Sequence, residues 1–313
     1  MTLDMFYTLN KDLLMQRSLA PTSGYSYRLD NVGTLENKGI ELSFDISPVR
    51  TKSWNWTVGF NIAATKNKIV ELYDGVQEIY NLGGWSNNEI QRTGNLFVGQ
   101  SVNSIYVYEF DRIVQEEDMD YVATLDVGGR IVQPGDMLPK DRDGNGIIND
   151  ADRYVVGNTD PKFYGGIHTE LSWRGLELQV VTNYSYGARR ISGLYETLIS
   201  SYGTSAAHAD LANRWTPENT DTRIPRAYSE SGRFSVYDLD WGIQDASYFK
   251  ISTITLSYTF PKAWMDAIRF DNLRIYFTAY NPVCVTSYKG WDPESGDGYP
   301  SSRMYVGGLN ISF

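Results

Sequence analysis

Arg303-Met304-Tyr305-Val306-Gly307-Gly308-Leu309-Asn310-Ile311-Ser312-Phe313 closes the chain with a strict period-two alternation. Tyr305, Gly307, Leu309, Ile311 and Phe313 share one side, and Met304, Val306, Gly308, Asn310 and Ser312 share the other. That alternation predicts a strand with one apolar face. A terminal strand in a soluble protein is usually followed by a few polar residues, because termini fray. This one runs to an aromatic in phase with its apolar face, which is the pattern of an outer-membrane β-barrel.

Seven further segments alternate in the same way. Leu3, Met5, Tyr7 and Leu9 form the first apolar set; Ile40, Leu42, Phe44 and Ile46 the second; Trp54, Trp56, Val58, Phe60 and Ile62 the third. Phe163, Ile167, Leu171 and Trp173 precede Arg174-Gly175, after which Leu176, Leu178, Val180, Tyr184 and Tyr186 continue. Ile254, Leu256, Tyr258 and Phe260, then Leu273, Ile275, Phe277 and Ala279, complete the set. Eight segments of this kind predict an all-β, antiparallel transmembrane barrel segment, since about 9–11 tilted residues cross a bilayer.

The connections sort by length. Three are short (48–53, 174–175 and 261–272), and four are long (about 14–37, 66–162, 187–247 and 284–302). Short turns at one end and long loops at the other is the outer-membrane asymmetry, with the long loops extracellular. Aromatics on the apolar parity fall at both ends. Trp54, Trp56, Trp173, Phe260, Trp264 and Phe313 lie at the short-turn end; Phe163, Tyr184, Tyr186 and Tyr305 lie at the other. Two such belts are what anchoring at two membrane interfaces requires. The competing reading is a soluble β-sandwich whose apolar face is core, but connections this long are uncommon in compact soluble domains.

Composition narrows the function. The net charge is −10, which argues against nucleic acid as a partner. A single cysteine, Cys284, excludes an internal disulfide framework. Mean hydropathy is −0.37, compatible with a barrel because lumen-facing residues dilute the apolar ones. Met1-Thr2-Leu3-Asp4 lacks the basic and apolar regions of a signal peptide. The expectation is that residues 1–313 are the C-terminal part of a barrel, with signal peptide and plug outside them.

One ligand motif stands out. Asp141, Asp143, Asn145, Ile147, Asn149 and Asp152 carry the spacing of a calcium loop, with Gly146 at the sixth position for the sharp turn. Side-chain oxygens and the Ile147 carbonyl would surround a hard cation, and Ile148 would pin the loop to apolar neighbours. Asp152 stands where the EF-hand has Glu, so closure needs a tighter loop, and the flanks do not read as helices. The expected cofactor is therefore a structural calcium in an isolated loop. Loop tryptophans Trp85, Trp241 and Trp291 are candidates for stacking on sugar rings, against the plainer reading of loop packing. The acidic run around Glu116, Glu117, Asp118 and Asp120, and the group Asp292, Glu294 and Asp297, read as solvated loop carboxylates. No catalytic elbow, phosphate loop or zinc spacing is present, so no enzyme activity is expected.

Taken in order, several runs resemble SusC/RagA-type TonB-dependent outer-membrane transporters. They are 31–42 (NVGTLENKGIEL), 141–153 (DRDGNGIINDADR), 157–163 (GNTDPKF), 214–219 (RWTPEN), 288–294 (YKGWDPE) and the terminal strand. The resemblance implies a 22-stranded plugged barrel in the outer membrane, coupled to the TonB complex through its N-terminal plug. It also implies a SusD-like lipoprotein lid and a glycan or peptide cargo. A soluble carbohydrate-binding β module with a structural calcium, or a β-rich glycan hydrolase, would be the alternatives.

Overall fold

The computed structural model describes residues 1–18, 21–25, 27–83, 89–200, 206–227 and 232–313. Eight long strands form one antiparallel sheet in chain order: β1 (Thr2–Ser18), β2 (Tyr27–Arg50), β3 (Trp54–Leu72), β4 (Phe163–Trp173), β5 (Leu176–Tyr186), β6 (Tyr248–Thr259), β7 (Asn272–Thr286) and β8 (Met304–Ser312). Each pairs with its sequence neighbours, as hairpin connections dictate. Strands β1 and β8 are the two edges, and each has one partner.

Register keeps the faces apart. One row across six strands reads Trp54, Trp173, Leu176, Tyr258, Ile275, Leu309. One residue along, the row reads Asn55, Ser172, Glu177, Ser257, Tyr276, Gly308. The next returns to Trp56, Leu171, Leu178, Leu256, Phe277 and Gly307. Side chains alternate across a strand, so the register held through these rows puts the apolar residues of six strands on one face. Register shifts interrupt the ladders at Ile46–Val49, Val181–Thr182 and Ile251–Thr253.

That apolar face is bare. Phe277 is 52% exposed, Leu256 47% and Leu309 65%, and no second sheet packs on them among the described residues. The hydrophobic core lies elsewhere, in the connections. Tyr108, Ile113, Val114, Met137, Leu138, Ile148, Ile199, Trp215, Phe234, Val236 and Leu239 form its centre, all from the two longest connections. A soluble sandwich would bury the sheet's apolar face first. This molecule leaves it open and builds its core in the loops.

The ends differ as expected. Arg174 and Gly175 both have positive φ (47° and 90°), the geometry of a two-residue type I′ hairpin. A Cβ on Gly175 would lie 2.4 Å from the Thr259 carbonyl oxygen, so that turn needs glycine twice over. The 261–272 connection holds a short helix, α2 (Lys262–Ile268; α1 is Gly193–Ile199), stopped by left-handed Arg269.

One expected loop is mostly strand. Instead of a loop over 14–37, β1 runs to Ser18 and β2 starts at Tyr27, paired from Ser18↔Tyr27 to Leu13↔Gly33 across register shifts near left-handed Asp12. The ladder continues by backbone bonding where the side chains no longer alternate. Likewise β3 extends to Leu72, past the expected loop start at 66.

Candidate functional site

The polar face carries several cross-strand polar contacts. The Arg274 guanidinium reaches Glu177 at 3.2 Å and the Ser257 hydroxyl at 2.9 Å. Thr255 and Thr278 hydroxyls meet at 3.0 Å. His168 Nε2 lies 3.0 Å from Asp45 Oδ1, across Gly59. A Cβ on Gly59 would sit 2.0 Å from His168 Cε1 and 2.2 Å from Asp45 Oδ1, so the missing side chain is what lets that pair close. Gly308 plays a similar part, leaving room for the Tyr276 ring.

The aromatics lie in two end clusters. At the short-turn end Trp54 and Trp173 are register partners with stacked rings 5.4 Å apart, Phe260 meets Trp264 at 6.2 Å, and Phe313 meets Phe270 at 5.1 Å. Trp56 donates its indole N–H to the Thr169 hydroxyl at 2.9 Å. At the loop end Phe163 stacks on Tyr186 at 5.0 Å and Tyr184 donates to the Asn61 carbonyl at 2.9 Å. Tyr305 starts β8 on its loop side, but its ring stacks at 6.2 Å on Phe277 of the Trp56 row, so it stands apart from that cluster. The indole of Trp56 and the hydroxyl of Tyr184 thus find partners without water, which an apolar surrounding demands.

Above the loop end, the long connections fold into one cap. Asp136, 1% exposed at its side chain, holds Arg233 and, at 2.8 Å, Arg226 from the next connection. Glu196 on α1 is fully buried and takes both terminal nitrogens of Arg92, at 2.5 and 2.8 Å. Burial raises the Glu196 pKa and the Arg92 charge opposes the rise. The third connection joins through Asp297, which accepts from the Ser192 hydroxyl and the Leu194 N–H. Lys289 contributes an ion pair to Asp210, and that bond holds the Asp210 carboxyl below its ordinary range.

Within the cap, carboxylate oxygens of Asp141, Asp143 and Asp152 converge to within 4.8 Å of one another. Asp141 accepts the Gly144 and Gly146 N–H groups, and Asn145 Oδ1 accepts that of Ile147. Asn149 caps a single helical turn, Asp150–Asp152, that swings the short Asp152 side chain inward. Asp152 is fully buried and accepts from the Arg142 and Asn149 N–H groups at 2.8 and 2.9 Å. Ile148 inserts into the loop core, and short strands rather than helices flank the loop. An all-oxygen donor set at this density suits a hard cation.

Of the three candidate tryptophans two are described, Trp241 and Trp291, and no ring contact joins them. Trp241 lies against the cap core, stacked on Tyr195 at 6.1 Å, with its N–H on the Arg223 carbonyl. Trp291 is exposed in the last loop, and Trp85 lies outside the described residues. Asp118 closes a capping box with Gln115 and pairs with Arg112, while Glu116, Glu117 and Asp120 are exposed, as expected of solvated loop carboxylates.

No family model matches the sequence. It is 30% identical over 329 residues to TonB-dependent receptor P3 of Formosa agariphila, covering 98% of this chain and 32% of that receptor. It is 25% identical to TonB-dependent receptor SusC of Bacteroides thetaiotaomicron, over 99% of this chain and 30% of that one. The chain is a homologue of TonB-dependent receptors, SusC among them. It spans about a third of the length of the curated relatives it matches. A solved structure of the RagAB peptide transporter superposes with a TM-score of 0.78 at 24% identity, covering 99% of this chain and 33% of that one. The open sheet described above is therefore a wall of the TonB-dependent barrel fold.

Within this receptor homologue, sequence reading missed Arg92, Glu196, Asp136 and Arg233. Their partners stand 104 and 97 residues away, so no local spacing could flag them.

Proposed function

We propose that this chain is part of the wall of an outer-membrane TonB-dependent transporter that imports oligosaccharides or peptides beneath a SusD-like lipoprotein lid. The observation that carries the reading is the bare apolar face between two aromatic clusters. Such a face is costly in water and stable in lipid. The two sheet edges belong to the same reading. Unpaired backbone groups cost several kcal/mol each in hydrocarbon, so further strands, to the family's 22, close the barrel. The polar face lines the lumen against a plug that TonB pulls, and the cap faces outward toward the lid. The wall has no part in covalent chemistry.

Within the cap, the loop 141–152 binds calcium through Asp141, Asp143 and Asp152, with Asn145, the Ile147 carbonyl and Asn149 completing the shell. The metal orders the longest connection.

The test is localisation and uptake in cells carrying the intact gene. The protein is expected in the outer membrane, with gel migration that changes on heating. Uptake of its cargo is expected to stop when TonB is deleted. A protein recovered from the soluble fraction refutes the reading.

A further inference from the structure

A cavity of about 560 Å³ opens in the cap just beyond the loop end of β5, and three arginines line it: Arg92, Arg153 and Arg190. Three guanidinium groups around one cavity are unexpected in a chain of net charge −10. Two are held in place from behind. Arg92 is clamped by buried Glu196. Arg153 donates to Asp150 at 2.9 Å and to the Ile90 carbonyl at 3.2 Å, and lies over the Tyr108 ring. Arg190 donates to the Glu294 carbonyl at 2.7 Å, and no carboxylate lies within ion-pair distance of it among the described residues.

Apart from Glu196 and Asp150, the neighbouring acids among the described residues are committed elsewhere. Asp297 takes Ser192 and the Leu194 N–H, Asp292 takes the Glu294 and Ser301 N–H groups, and Glu294 takes Lys250 at 3.0 Å. Asp238, the one acid among the described lining residues, is engaged by Ser235 and Arg130. A guanidinium carries five N–H donors. The bonds above use two on Arg92, two on Arg153 and one on Arg190. What remains are unused N–H donors on three positioned guanidinium groups; Glu196 and Asp150 offset the charge of Arg92 and Arg153, and Arg190 brings the cavity's unopposed positive charge.

We propose that this cavity is a binding site for the carboxylate groups of an acidic oligosaccharide. Planar guanidinium groups match carboxylate geometry, and groups already fixed lose little freedom on binding. The rest of the lining favours sugar over peptide. Thr93 and Thr159 offer hydroxyls, Tyr237 offers a partly exposed ring beside the Arg92 guanidinium, and Ile90 and Ile191 are the aliphatic side chains among the described lining residues. A peptide's apolar side chains would find little to pack on. The site rests on the reading of the chain as an importer's wall and names the class of its cargo.

The experiment is calorimetric titration of the intact receptor in detergent with oligogalacturonate, its methyl ester, and an oligoglutamate peptide. Arg190→Gln is compared with the unaltered receptor, and heat-dependent gel migration of both is recorded. Oligogalacturonate is expected to bind, more weakly as salt rises. Arg190→Gln is expected to weaken it about tenfold or more, as loss of a charge-assisted bond does. The methyl ester is expected to bind poorly. The proposal is overturned if the acid does not bind, if the ester binds as well, if the peptide binds as tightly, or if Arg190→Gln changes nothing. A receptor with barrel-like migration that gives any of those results overturns the cavity alone. Loss of that migration in the unaltered receptor overturns the transporter reading itself.

Discussion

Ile167→Arg separates a lipid-facing sheet from a water-facing one. Ile167 sits near the middle of β4, on the apolar face, opposite Phe60 on β3 and Thr182 on β5, and is 37% exposed. Phe163 at one end of the strand and Trp173 at the other mark the aromatic clusters that bracket it. If the face met water, an exposed substitution here would change stability by about 0.5 kcal/mol or less. In a bilayer an arginine at midplane costs about 2–4 kcal/mol. That lowers the folded-to-unfolded ratio roughly 30- to 700-fold at 1.4 kcal/mol per decade. The companion variant is Gln179→Arg, exposed on the polar face of β5 and directly opposite Glu170, expected to be near neutral or slightly favourable. The assay is urea unfolding of the intact receptor in lipid vesicles, followed by the loss of its compact form on gels. The expected result is a large drop in midpoint for Ile167→Arg and little change for Gln179→Arg. Equal midpoints for the two variants would refute a lipid-facing β4.

Gly175→Ala forces a Cβ toward the Thr259 carbonyl at φ 90°, and is expected to cost more than about 1 kcal/mol in the same unfolding assay. Asp136→Ala removes the carboxylate shared by Arg226 and Arg233; breaking a buried pair costs about 3–5 kcal/mol, so the cap should become cleavable by protease while the strands stay protected. Chelation of calcium, or Asp143→Asn at ordinary calcium, should expose the 141–152 loop to protease, and added magnesium should not restore protection. The Asp210 carboxyl, held below its ordinary 3.8 by Lys289, contributes stability that is present above that value and lost as pH falls toward the lower, folded pKa. Protease sensitivity near Lys289 should therefore rise on acidification in the unaltered receptor, and Lys289→Gln should flatten the rise.

The central part of each strand could be read from the chain because side chains there report on both faces. Ile40 to Ile46, Trp54 to Ile62 and Leu273 to Ala279 alternate without a break, and each lies in a strand of that phase. The outer ends of β1 and β2 could not be read in this way. From Leu13 to Ser18 pairing persists, but Leu13, Leu14 and Met15 are consecutive and Gln16, Arg17 and Ser18 are polar, so no alternation marks a face. The acidic loop was visible because its donors lie within twelve consecutive positions. The arginine cavity was not, because Arg92, Arg153 and Arg190 come from segments far apart in the chain.

Local chemistry by itself determined the strands, their phase, the tight turn at Arg174-Gly175 and the aromatics at both ends. Each follows from neighbours a few residues apart, through the two-residue period of a strand and the left-handed backbone of a tight turn. Only the tertiary structure decided that no other described part of the chain covers the apolar face. Alternation is the same whether that face meets a second sheet or lipid. The choice emerges when the long connections pack on one another, through Leu239, Met137 and Ile148, and leave the sheet uncovered. Burial is a property of contacts between distant segments, and no window of sequence contains both partners.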